Sequence, residues 1–338
     1  MHIKLTTTLL ILLCSNSLLA QIGLTHRTFI DSTRGRVLNT TLLYPAKSDS
    51  LDSYGANRVF KGFKASLHAE LRSDIKLPLI VLIHGTSGNW KNLTWLGAPI
   101  AGKGAIVVAA NHEGSTTGDA TPASVIRMWQ QPEDVSFLLD RVFASEFYEF
   151  IDTNKVIVIG SSLGGYTALA LSGAILRFEE YKQFCMDNED ASTKYFRPAL
   201  DELDENFYKK ANQAHLDQRI RLAIALVPGF VEVMNFAAFT TVTTPALIVG
   251  ASQDVNLPPA THYKPFIGEF PAAWKYIEIK DATHYSFLQE CKDGAWQILA
   301  EENAEFACLE KGEKTREAIH REVIDEIEKF MIANFRSN

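Results

Sequence analysis

The chain has 338 residues, 46% of them apolar and 22% charged, enough to bury a large core as one α/β domain or as two small ones. Its formal charge of −7 gives no basic footprint, which argues against nucleic acid or an anionic membrane surface as partner. A neutral or small-molecule substrate fits this balance better.

Residues 1–20 carry one lysine (Lys4), the apolar run Leu9 to Leu13, and then small and polar residues up to Ala20. That is the layout of a cleavable export signal. The apolar run is shorter than the roughly 20 residues a bilayer span needs. The mature chain, 21–338, is therefore expected in the periplasm or outside the cell, without a transmembrane segment. Cys14 raises the question of a lipid anchor, but Leu12 and Leu13 before it are larger than lipidation usually accepts. Cys185, Cys291 and Cys308 then remain.

Next along the chain, Arg36 to Tyr44, closed by Pro45, reads as an early strand, and the polar stretch Lys47 to Asp74 as an irregular surface insertion. Leu77 to Ile83, Ala105 to Ala110 and Lys155 to Ile159 are nearly continuous apolar runs of strand length, as expected for central parallel strands covered on both faces. Residues 172–219 shift to charged residues mixed with aromatics (Phe178, Tyr181, Phe196, Phe207) and read as a small helical cap. Ile220 to Val227 and Pro245 to Val249 repeat the buried-strand pattern, and Lys275 to Lys280 alternates like a strand nearer the sheet edge. Ile319, Val323, Ile324, Ile327, Phe330 and Met331 recur at helical spacing, so a terminal helix should pack on the sheet. The fold class expected is α/β: a mostly parallel, doubly wound sheet in one domain with a helical cap insertion.

The chemistry concentrates in Gly160-Ser161-Ser162-Leu163-Gly164, which follows one of the apolar strands and precedes the helix-forming run Gly165 to Leu171. A G-x-S-x-G sequence between strand and helix is a nucleophile elbow, with the serine Oγ exposed at the carboxyl edge of the sheet. A serine hydroxyl is a weak nucleophile and needs a base, which in turn needs a carboxylate to hold its tautomer. In this architecture the order is Ser, acid, His, each after a strand. Asp254, after the strand starting at Pro245, and His284, after the strand ending at Lys280, fit that order. Asp281 competes for the acid but lies only three residues before His284, where it suits a turn. His262 and His320 compete for the base from poorer positions, before the last strand and on the terminal helix. His84-Gly85-Thr86 ends an early strand where one oxyanion donor is expected, so the amides of Thr86 and Leu163 are the candidate pair, with His84 itself structural. No H-E-x-x-H, C-x-x-C or phosphate loop occurs, so neither metal nor cofactor is expected. Cys291 and Cys308 enclose a polar stretch after the last strand and are the expected disulfide of an exported chain.

Arg34-Gly35-Arg36 with Tyr44-Pro45, His84-Gly85, Asn111-His112-Glu113-Gly114, Pro132 to Asp140, the elbow, and His284 to Cys291 together resemble secreted bacterial hydrolases described as dienelactone-hydrolase-like, which are similar to platelet-activating-factor acetylhydrolases. The resemblance runs over nearly the whole mature chain. It implies an α/β-hydrolase fold and a serine hydrolase of carboxylic esters, of short-chain or phospholipid type. It carries the catalytic roles onto Ser162, Asp254 and His284 and the oxyanion role onto Thr86 and Leu163. Ser161 stands where such elbows commonly have His, and Ser162 where true dienelactone hydrolases use Cys. An acyltransferase or peptidase on the same triad, or an exported binding protein without activity, are the other readings of these residues. No signal for an oligomeric state is present.

Overall fold

The computed structural model describes residues 21–48 and 50–335, so the expected export signal lies outside the described residues. Its strands are β1 (Gln21–Asp31), β2 (Arg36–Ala46), β3 (Asp52–Tyr54), β4 (Phe63–Leu67), β5 (Leu77–Ile83), β6 (Ile106–Ala110), β7 (Ile151–Ser161), β8 (Leu222–Leu226), β9 (Ala246–Ala251) and β10 (Trp274–Ile279). They lie in the order β10-β9-β8-β7-β5-β6-β2-β1-β4-β3. Every pair from β10 to β6 is parallel, while β2 runs antiparallel to both β6 and β1.

The apolar runs form the middle of this sheet because both faces are covered. Along β5, Leu79, Val81 and Ile83 enter one core while Ile80 and Leu82 enter the other, and β6 and β7 split in the same way. The helices Gln130–Phe143 and Leu163–Leu171 contribute to the first core. The helices Thr94–Gly102 and Arg316–Phe335 contribute to the second, the latter through Ile319, Val323, Ile327 and Phe330 as the spacing predicts.

The stretch expected to be irregular, residues 47–74, instead contains β3 and β4, and β4 pairs parallel with β1. Only Ala65 of β4 is fully buried, so the strand carries almost no apolar pattern. Pro45 lies within β2 rather than closing it. Its carbonyl accepts from Arg72 N at 3.1 Å, away from β1, so the amide that proline lacks is not one the β1 ladder uses.

Between Ser172 and β8 lie the helices Tyr181–Asp187, Ala191–Phe196 and Glu205–Ala211. Asp190 and Asp204 cap the last two, accepting from Thr193 N and Phe207 N. Phe178, Tyr181 and Phe196 converge on Phe230 with ring centroids 5.2–5.8 Å apart, and Phe230 packs edge-on against Tyr166 of the helix Leu163–Leu171. The insertion is thus fastened to the sheet by aromatic contacts. Cys291 and Cys308 form the expected disulfide, and Cys185 is a buried free thiol whose pKa burial pushes up to about 12.

Candidate active site

In a parallel sheet the carboxyl ends of the strands share one edge, and the five expected site residues follow the ends of β5, β7, β9 and β10 at that edge. Ser162 follows β7 with φ 58° and ψ −116°, a left-handed conformation that a non-glycine residue rarely holds. The turn is fixed from three sides: Ser162 N donates to Leu226 O at 2.9 Å, and Ser162 O accepts from Tyr166 N and Gly229 N, each at 3.1 Å. The glycines are required by close approach. A Cβ on Gly160 would lie 1.9 Å from Gly164 O, and one on Gly164 would lie 2.2 Å from Ile83 O.

β5 and β7 run side by side with Ile83 opposite Gly160, so the turn after β5 arrives level with Ser162. Gly85 presses against it: a Cβ there would lie 2.9 Å from Ser162 Cβ and 2.8 Å from Ser161 O. Thr86 N donates to no protein group among the described residues. Leu163 opens the helix Leu163–Leu171, so its amide is one of those with no intrahelical acceptor. Leu163 thus directly follows the serine in sequence, and Thr86 follows the glycine pressed against it.

Asp254 follows β9 and is fully buried, and His284 begins a short 3₁₀ turn, His284–Phe287, after β10. His284 Nδ1 donates to Asp254 Oδ2 at 2.8 Å. Oδ1 of the same carboxylate accepts from Asn256 N at 2.8 Å and Leu257 N at 2.9 Å, which fixes its plane. Asp281, the competing acid, has φ 68° and shapes the turn before His284, with its carboxylate accepting from Glu313 N. The Ser162 hydroxyl takes part in none of the hydrogen bonds among the described residues, so its Oγ is unencumbered, while the acid and the base are already joined.

Residues 80–294 match the alpha/beta hydrolase family, well over half of the chain. The chain belongs to the alpha/beta hydrolase family. This hydrolase is 25% identical over 209 residues to cutinase 1 of Thermobifida cellulosilytica, covering 61% of the chain and 60% of that protein. It is likewise 25% identical to a cutinase of Thermobifida fusca, covering 61% and 52%. The match thus spans less than two thirds of the length of these relatives. Among solved structures, a ferulic acid esterase from Streptomyces cinnamoneus superposes with a TM-score of 0.62 at 17% identity, over 96% of this chain and 93% of that one, a likeness of fold.

In this alpha/beta hydrolase the His284 turn is anchored from behind. Thr283 and Ser286 form a capping box, Ser286 Oγ donates to Glu310, and Arg316 Nε holds Glu310 at 2.7 Å. His320, one of the competing bases, lies in this support. Its Nε2 donates to Ser286 O at 2.9 Å, its ring stacks on Trp95 at 3.7 Å, and burial lowers its pKa to about 3. His262, the other, is fully buried between Glu232 and Asp190. On the open side, the Tyr285 ring lies 5.5 Å from that of His284 and packs at 4.7 Å on Phe306, which the disulfide-closed segment carries. The aromatic pair carries no local signal in the sequence, because Phe306 lies in a segment with no strand or strong helix pattern. Among the described residues no cluster of His, Cys, Asp and Glu is arranged to hold a metal, and no helix is long and apolar enough to cross a membrane.

Proposed function

We propose that the chain is an exported serine hydrolase of carboxylic esters, with Ser162 as nucleophile, His284 as general base and acid, and Asp254 as the group that orients the base. The observation that carries the reading is the 2.8 Å bond from His284 Nδ1 to the buried Asp254, on the same sheet edge as a serine in a left-handed turn. An ionised carboxylate at Nδ1 keeps the proton there and leaves Nε2 as the basic nitrogen, the tautomer that a serine nucleophile needs.

In the proposed cycle Ser162 Oγ attacks the ester carbonyl and passes its proton to His284 Nε2. The negative oxygen is received by the amides of Thr86 and Leu163, donors worth about 3 kcal/mol each because they meet charge that develops in the transition state. His284 then gives the proton to the departing alcohol, and water activated by the same imidazole cleaves the acyl-enzyme. Asp254 stays ionised throughout. The names of the cutinase and ferulic acid esterase relatives agree with an ester substrate. The motifs shared with platelet-activating-factor acetylhydrolase-like enzymes favour short-chain or phospholipid-type acyl groups. The Cys291–Cys308 bridge supports an oxidising compartment, periplasmic or extracellular.

The test is turnover of p-nitrophenyl esters of increasing acyl length by the full chain and by Ser162→Ala. Activity that falls by about 10⁶-fold in the variant is expected for a lost serine nucleophile. A wild type inactive on every ester and unlabelled by a fluorophosphonate would instead favour a binding protein on the same fold.

A further inference from the structure

Three of the motifs that mark this sequence, Arg34–Arg36, Asn111–Gly114 and Pro132–Asp140, take no part in the steps above. The fold brings a residue of each to one buried place. Asp134 has no exposed surface and receives Arg36 Nε on Oδ1 and Arg36 Nη2 on Oδ2, both at 2.6 Å, with Arg34 Nη1 at 2.9 Å from Oδ1. His112, also buried, donates from Nδ1 to Asp134 Oδ2 at 3.1 Å. Burial alone would raise the Asp134 pKa, but the bonds from His112 and Arg36 hold it down at about 2. The carboxylate therefore only accepts, and Nδ1 of His112 must carry the proton.

With its ring fixed, His112 presents its backbone amide to His84 Nε2 at 3.1 Å. Nε2 must then hold the lone pair. Burial, with His112 alongside, lowers the His84 pKa to about 3, so the ring is neutral and its one proton sits on Nδ1. Nδ1 lies 2.8 Å from Gly85 O, which also accepts from Gly88 N at 3.0 Å. Gly85 C=O and Thr86 N–H are opposite ends of one planar trans peptide, so gripping the carbonyl aims the amide. Gln131 ties the assembly to the nucleophile's helix, donating to His84 O at 3.2 Å and accepting from Thr167 Oγ1 at 2.9 Å.

We propose that Arg36, Asp134, His112 and His84 form a positioning relay that sets the Thr86 amide as an oxyanion donor for Ser162. The proposal rests on the serine-esterase reading above and assigns a task to residues that touch neither substrate nor nucleophile. The relay works through direction rather than charge. A peptide free to rotate would average its N–H away from the developing oxyanion, whereas a held one meets it without reorganisation.

The test compares His84→Asn, whose amide can place a donor where Nδ1 stood, with His84→Leu, which has none. For the full chain on a p-nitrophenyl ester, kcat of His84→Leu should fall by about 10²-fold, the scale of one lost oxyanion donor, with KM within about threefold. His84→Asn should recover at least tenfold of that loss. In the wild type, the ¹⁵N shifts of His84 should show Nδ1 protonated and Nε2 bare. Unchanged kcat in His84→Leu, equal losses in both variants carried by KM, or a proton on Nε2 would each overturn the relay. Should His84→Leu fail to fold, His84→Asn and the wild-type tautomer decide. An active wild type indifferent to His84 refutes the relay alone; a wild type that neither turns over esters nor reacts with a fluorophosphonate refutes the esterase reading and the relay together.

Discussion

His262 Nδ1 lies 3.0 Å from Glu232 Oε2, and its Nε2 lies 3.0 Å from Asp190 Oδ2. Ionised carboxylates only accept, so satisfying both requires a ring with two N–H groups, an imidazolium. Burial would lower the pKa of His262, but Glu232 and Asp190 outweigh it and raise the value from 6.5 to about 10. Asp190 caps a helix of the insertion and Glu232 follows β8, so the cation joins the insertion to the sheet.

A pH dependence of stability follows. With the folded pKa raised, the contribution of His262 is whole below its unfolded value of 6.5 and is lost as pH climbs through about 10. Urea titrations from neutrality to above pH 10 should show the wild type losing stability relative to His262→Gln, which cannot titrate. At neutral pH that variant should itself be less stable by about 3 kcal/mol, since it leaves two buried carboxylates without their cation. Parallel curves for the two proteins would reject the imidazolium.

Asp254→Asn tests the orienting group. The amide would offer a proton to Nδ1 and push the imidazole toward the tautomer with Nε2 protonated, so kcat should fall by about 10⁴-fold with the thermal midpoint little changed. Retained turnover would remove Asp254 from the mechanism.

Removing the bridge with Cys291→Ser and Cys308→Ser together should lower the unfolding free energy by about 3 kcal/mol, the loop-closure entropy returned to the unfolded chain. The residues are 17 apart in sequence. Denaturant unfolding under non-reducing conditions measures it, and a loss under 1 kcal/mol would show that the segment is held by its other contacts.

Gly164→Ala should be the more damaging of two glycine substitutions. Its Cβ would meet Ile83 O at 2.2 Å, a backbone atom with no flexible side chain to yield, whereas a Cβ on Gly229 has nothing within 4 Å. Gly164→Ala should lose about 3 kcal/mol or more, the upper range for overpacking. Gly229→Ala should stay within about 0.5 kcal/mol of wild type. Comparable melting temperatures would contradict the packing at the elbow.

The parts of the fold that the sequence announces are those with a local signal. Leu77 to Ile83 reads as a central strand because both of its faces are buried, and the elbow reads as such because glycine is forced wherever backbones touch. Chain order alone picks out Asp254 and His284, and the structure joins them across 30 residues. β1 and β4 escaped because β1 buries the consecutive run Gly23 to Thr25 and otherwise only Asp31, and β4 buries only Ala65, so neither strand alternates between buried and exposed. The Arg36–Asp134 pair spans 98 residues and the His262–Asp190 pair 72, so neither could be recognised from its own neighbourhood. A lone histidine in sequence carries no mark of the carboxylates that will enclose it.

The ends of the sheet bear on how the folded chain behaves when crowded. β10 forms one border, with Lys275 and Lys280 exposed and Glu278 paired to Lys264 at 3.0 Å; at the other border β3 has three residues. Unpaired strand edges are templates on which a second chain can polymerise, and charge at one end with brevity at the other are two ways of denying it a footing. Strand-by-strand addition is thereby disfavoured at both borders of the sheet.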